Sequence, residues 1–243
     1  MLENDFNLHR DKILAFSFGE DKDGKKNPMY PPAGAVLNEV LSVMGVDSVT
    51  QNQVHEISQK IVSTVNSSPK MLDLLSHFLK GKNSFVVDHS YLTGVVAVMI
   101  ANRFEWITPQ IREKICLAAL FHDMALKDDA FARLEMKFNT PHITSSTQLQ
   151  LMDHVEEVVE KVSKLPDVPI EVTQMISLHH SVESNSHTNL SLIFLVAHEY
   201  VLEIYRNNID ESARRFAVDK VRRLLHSASY DKAIKCLDEL VNS

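Results

Sequence analysis

From about residue 35 onward the apolar residues recur every three or four positions, the period of helices that bury one face. The recurrence predicts helices over about 35–45, 51–66, 69–80, 84–104, 109–124, 128–138, 143–163, 168–182, 188–207, 210–227 and 229–242. Breaks fall at Ser67-Ser68-Pro69, at Thr108-Pro109, at Thr140-Pro141, from Leu165 to Pro169 and across the polar stretch Glu183 to Asn189. Several of these breaks place Ser, Thr or Asp just ahead of an apolar period. A short side-chain oxygen there can accept from the backbone N–H groups that a first helical turn leaves unpaired.

Composition narrows the fold. Glycine occurs six times and never after Gly94, and proline is absent after Pro169. A chain so poor in turn-formers is unsuited to a many-stranded sheet and suited to packed helices, so an all-α multi-helix bundle is expected. The scarcity of glycine also excludes chemistry. No phosphate-binding Walker loop, dinucleotide fingerprint or nucleophile elbow can form after Gly94, and nothing earlier matches one. Half the glycines and three prolines sit between Phe18 and Gly34, a stretch that reads as a loop or linker. The expected organisation is therefore an N-terminal extension or linker over 1–34 and a helical domain over 35–243.

Charge and cysteine content limit partners and compartment. Acidic residues number 32 against 25 basic, a formal charge of −7, which argues against binding bulk nucleic acid and leaves room for a local basic pocket that takes one phosphate ligand. No apolar run is long enough to span a bilayer, and the opening MLENDFNLHRDK does not resemble a secretory signal. No membrane association is expected. The two cysteines, Cys116 and Cys236, lie in amphipathic patterns and do not suggest a disulfide framework, so the expected compartment is the cytoplasm.

Histidine changes the picture. There are twelve, and six fall on apolar stripes of predicted helices. His89 shares its stripe with Phe85, Leu92, Val96 and Ile100. His122 and Asp123 close a helix behind Ile115, Ala118 and Ala119. His154 lies with Leu151, Val155 and Val158, while His179 and His180 follow Val172 and Ile176. His198 lies with Leu190, Phe194 and Val201. A single inward histidine is ordinarily a satisfied core residue. Six imidazoles and an aspartate buried to no common end would each lose their hydration, whereas metal ions shared among them remove that loss. Neutral imidazole and carboxylate suit Fe, Mn, Zn or Co, and an aspartate next to a histidine can bridge two ions. His9, His55, His77 and His226 have no such partners, His142 reads as part of a helix start, and His187 lies in the loop beyond His180.

The order His89, His122-Asp123, His154, His179-His180 resembles the metal-binding series of HD-GYP domains, members of the HD superfamily. The surrounding text is similar as well: DHSYLTGVVAVMIANRF for the helix of the first ligand, ICLAALFHDMALKDD for the His-Asp segment, and the run from LMDHVEEVVEKV to SLHH for the later histidines. LSLIFLVAHEYVLEIYRN and SYDKAIKCLDEL resemble the helices that follow. The likeness extends over about residues 51–243. It implies a helical bundle with a metal site between helices. Two divalent ions, Fe or Mn, would be held there, one by His89, His122, Asp123 and His198, the other by Asp123, His154, His179 and His180. In such relatives a water between the ions attacks phosphorus in line, so the implied activity is a phosphodiesterase hydrolysing a cyclic dinucleotide such as cyclic di-GMP.

The chain also departs from that family's pattern. The paired histidines run into Ser181 and then VESNSHTN, with no Gly-Tyr-Pro triplet. The lysine that follows the family's His-Asp falls on Leu126, leaving Lys127 one position late and about 100° around a helix. The late aspartate falls on His198. Arg206 and Lys127 are the residues expected to contact substrate phosphate. An alternative expectation is a catalytically impaired sensor or adaptor in signalling that binds a nucleotide or a protein, with room for a homodimer.

Overall fold

A computed structural model describes residues 85–126, 129–137, 143–164, 168–183, 185–207 and 211–242. The predicted helices over 35–45, 51–66 and 69–80, and the extension over 1–34, lie outside the described residues. Within them the chain forms eight α-helices and no strand. They are α1 (Phe85–Ala101), α2 (Pro109–Phe121), α3 (Asp129–Ala132), α4 (Ser145–Ser163), α5 (Ile170–Leu178), α6 (Asn189–Arg206), α7 (Glu211–Leu224) and α8 (Asp231–Asn242). Two 3₁₀ turns, Arg133–Lys137 and Ala228–Tyr230, follow α3 and precede α8. No described helix is long and apolar enough to cross a membrane.

The helices start where side chains can cap them. Thr108 accepts from the Ile111 N–H ahead of Pro109 in the first turn, and Thr144 accepts from the Thr147 N–H. Thr188 and Ser191 exchange both bonds of a capping box at the start of α6. Each cap satisfies donors that would otherwise be orphaned and contributes about 1 kcal/mol.

Helices α1 and α6 lie side by side at the centre, with α2, α5 and α4 packed on one flank and α7 and α8 on the other. Their sequences fit these places. Helix α1 (FVVDHSYLTGVVAVMIA) and helix α6 (NLSLIFLVAHEYVLEIYR) are apolar nearly all round, as a central helix must be. Outer helix α8 buries Ala233, Ile234, Leu237, Leu240 and Val241, a stripe of period 3.6, and turns Asp238 and Glu239 outward. A central side chain such as Phe194, wholly enclosed, carries a truncation cost of about 3–5 kcal/mol.

The apolar residues form two groups. The larger runs through α1, α2, α4, α5, α6, α7 and α8. The smaller comprises Phe85, Val86, Leu126, Ala132, Leu151 and Leu202, beneath α3 and its 3₁₀ turn. That short element packs on α1, α4 and α6, and Asp129 at its head accepts from the Phe85 N–H at 2.9 Å, pinning it to the start of α1.

Four predicted helices end three or four residues early, among them α1 at Ala101 rather than 104 and α7 at Leu224 rather than 227. Helix α2 stops at Phe121 rather than 124 and α5 at Leu178 rather than 182. In both, histidine follows directly, and its ring takes a carbonyl of the last turn, which turns the chain out of the helix.

Candidate metal centre

The turns after α2 and α5 are built alike. His122 caps α2 and His179 caps α5, both with right-handed helical backbone. Each donates from Nδ1 to the carbonyl three residues earlier, His122 to Ala119 at 2.8 Å and His179 to Ile176 at 2.6 Å. The donated proton fixes the tautomer, so the opposite Nε2 presents a lone pair to the interior. Neither bond needs a distant partner. It arises because a histidine at a helix C-terminus meets carbonyls that the helix leaves free.

These turns deliver their side chains between the two apolar groups. His89, from α1, stacks on Phe85 at 5.3 Å between ring centres, and His122 meets the edge of Phe194 at 5.7 Å. His154 comes from α4 and His198 from α6. All seven residues of the expected ligand set are drawn into one cluster, and none is more than 5 % exposed.

Asp123 lies at its middle. One oxygen, Oδ2, is 3.2 Å from His122 Nε2 and 3.5 Å from His89 Nε2; the other, Oδ1, is 3.5 Å from His154 Nε2 and 3.8 Å from His179 Nε2. The nitrogens of His89, His122 and His198 form one group of converging donors, and His154, His179 and His180 gather in another. His198 stands between the halves, its ring 4.9–5.3 Å from those of His89, His122, His179 and His180.

The donor atoms are arranged for a cation rather than for one another. Both Asp123 oxygens, both ring nitrogens of His154 and of His198, His179 Nε2 and His89 Nδ1 are buried without a hydrogen bond. Stranding so many polar atoms in a core costs about 1–3 kcal/mol each. A first-row ion bound about 2.0–2.2 Å from each ligand sets neighbouring donors roughly 3.0–3.5 Å apart, close to the 3.2–3.8 Å found between Asp123 and its histidines. The residues therefore fit divalent metal.

Electrostatics agree. Burial drives the His89 imidazole down to about 3 and holds His179, His180 and His198 well below the ordinary histidine range, so these rings are neutral, as ligands must be. Burial alone would raise Asp123, but His122, His154 and His89 outweigh it and hold this carboxyl well below the usual range.

Two wholly enclosed acids beside the cluster were not anticipated from the sequence. Glu135, in the 3₁₀ turn after α3, is 2.9 Å from His180 Nε2 and wholly enclosed. Burial, then the nearby Asp123 charge, pushes its carboxyl well above the usual range. Glu199, next to His198, is equally enclosed and lies 3.7 Å from Arg206. Each could have been noticed as an acid on an apolar stripe: Phe131 and Ala132 precede Glu135 at helical spacing, as Leu195 and Val196 precede Glu199.

The remaining expected contacts separate. Arg206 donates to the backbone carbonyls of Met136 at 2.5 Å and Glu135 at 3.4 Å, and to Glu203. Its guanidinium thus binds protein groups at the edge of the cluster. Lys127 lies outside the described residues. His187 closes its own loop, bonding to the Ser181 carbonyl at 2.6 Å with its ring against Tyr230, and His226 is exposed. His9, His55, His77 and His142 lie outside the described residues.

The model of the HD domain family matches residues 86–223, more than half the chain and every member of the cluster. No curated protein and no solved structure matches. Metal-dependent phosphohydrolases are typical of that family. With a helical fold and a buried His/Asp cluster between the helices to set beside the match, the chain belongs to the HD domain family.

Proposed function

We propose that the chain is a metal-dependent phosphodiesterase of the HD-GYP type that hydrolyses a cyclic dinucleotide such as cyclic di-GMP at a centre of two divalent ions, Fe or Mn. The observation that carries this proposal is the position of Asp123, one oxygen toward each half of the histidine cluster. A lone structural ion needs only one such half.

His89, His122, His198 and Asp123 would hold one ion, and His154, His179, His180 and Asp123 the other. Bound divalent ions supply Lewis-acid chemistry, lowering the pKa of water and neutralising phosphate oxygens. The chain's own work is to orient and to insulate. The Ala119 and Ile176 carbonyls aim two imidazoles inward, and the apolar walls provided by Phe85 and Phe194 keep the dielectric low, so each charge interaction is strong. Such a centre needs no serine or cysteine nucleophile, in keeping with the lack of a motif for one.

The test is incubation of metal-loaded protein with cyclic di-GMP and related dinucleotides, read by chromatography. Linear dinucleotide is expected with Fe or Mn and not with Asp123→Ala. No linear product with any of Fe, Mn, Co or Ni would end this proposal.

A second function is favoured by the enclosure of the cluster and by the engagement of Arg206 with backbone carbonyls. It is a sensor or adaptor that binds a nucleotide or signalling protein without turnover. Calorimetry showing saturable dinucleotide binding to protein that yields no product would select it.

A further inference from the structure

The expected ligand set has a charge problem. Two divalent ions bring four positive charges into an enclosed site where, beside six imidazoles, Asp123 offers one negative charge. Leaving ionic charge uncompensated in a core is costly. Among the described residues a second carboxylate lies against the same two halves. Glu135 Oε1 is 2.9 Å from His180 Nε2 and 3.7 Å from His154 Nε2, while Oε2 is 3.8 Å from His89 Nε2 and has no hydrogen bond. Its donor atoms group with those of His154, His179 and His180, and also with those of His89 and Asp123.

We infer that Glu135 is a second carboxylate ligand spanning both ions, and that Arg206 is the positioning residue that holds it there; the inference rests on the metal centre proposed above. Glu135 comes from a short element that has no long helix to fix it. Asp129 ties the head of that element to α1, and Arg206 ties its tail to α6 by taking the carbonyls of Glu135 and Met136. A planar guanidinium reaches both carbonyls in one geometry, and a lysine ammonium cannot reproduce the fork. The arginine expected to touch substrate phosphate thus acts on a ligand. The second carboxylate would also lower the positive charge left on the centre from three to two.

The full-length chain, stripped by chelator, is titrated with Co²⁺ and followed by calorimetry and visible absorption, as wild type, E135Q and R206K. Wild type is expected to take up two ions. E135Q should weaken at least one of them by about 100-fold or more and alter the Co²⁺ spectrum, since an oxygen donor is lost. R206K should weaken binding by about 10-fold, in the range for residues that orient ligands, with the saturated spectrum kept. If E135Q loses its helical circular dichroism, Glu135→Asp takes its place; a spectrum displaced by the shorter carboxylate supports the assignment and an unchanged one overturns it. A two-ion wild type with E135Q indistinguishable from it would overturn the role of Glu135 alone. A wild type that binds no Co²⁺ would overturn the metal centre itself.

Discussion

His89 and His122 set their Nε2 atoms 3.2 Å apart inside the core, although His122 has already given its Nδ1 proton to the Ala119 carbonyl. A neutral His89 can meet that lone pair only through its own Nε2–H, which leaves its Nδ1 buried without a bond. A cation between the rings removes the conflict. Divalent metal is therefore expected to stabilise the fold. At 100 times its dissociation constant an ion adds about 2.7 kcal/mol, or roughly 5–10 °C in Tm for a domain of this size. Scanning fluorimetry with Mn²⁺, then with excess EDTA, should show the rise and its reversal. A Tm indifferent to both would count against the centre.

The same burial predicts how the metal-free protein responds to acid. The folded-state pKa of His89 is lowered from 6.5 to about 3, and His179, His180 and His198 are lowered too. The unfolded chain takes up protons that the folded chain refuses, so the stability tied to these rings is complete above about pH 6.5 and declines as pH falls toward 3. Glu135, raised, has the opposite sign: its contribution is full below about pH 4.5 and is lost as pH rises through its folded value. With four rings against one carboxyl, urea midpoints of the apoprotein should fall from pH 7 to pH 5. A flat profile would show the rings to be solvated.

A cap distant from the ions separates folding from binding. Thr108 caps α2, whose far end carries His122 and Asp123. Thr108→Ala should lower stability by about 1 kcal/mol and leave ion stoichiometry untouched. Denaturant unfolding and metal analysis of one preparation read both quantities.

His198 has no hydrogen bond to either ring nitrogen and stands between the halves. His198→Asp adds a negative charge where two ions are proposed, and is expected to tighten Mn²⁺ binding about tenfold, a difference of about 1.4 kcal/mol. Calorimetry measures it. Weaker binding would mean that ring reach outweighs charge at this position.

How much of this was legible in the sequence depends on where each signal resides. The helices and the convergence of histidines on apolar stripes are local patterns, and the sequence carries them openly. The sequence reading sets His122 and His179 inside helices over 109–124 and 168–182, whereas both lie just beyond helices that end at Phe121 and Leu178, because the bonds of each ring to Ala119 and Ile176 are a matter of rotamer rather than periodicity. Glu135 was overlooked for another reason. It lies in a single short turn whose place is set by tertiary bonds from Arg206, 71 positions away. The expectation that Arg206 contacts phosphate comes from the family resemblance, and its bonds to the Met136 and Glu135 carbonyls are tertiary contacts that no local pattern carries.

Enclosure of the cluster, with no member more than 5 % exposed, has a kinetic consequence. The ligand atoms are screened from a chelator in solvent, and local parting of the neighbouring helices opens a further route to the ion. That route should contribute a release rate that does not rise with chelator concentration and that quickens with temperature as unfolding does. Once loaded, such a protein would keep its metal through purification by the slowness of its own motions rather than by affinity alone.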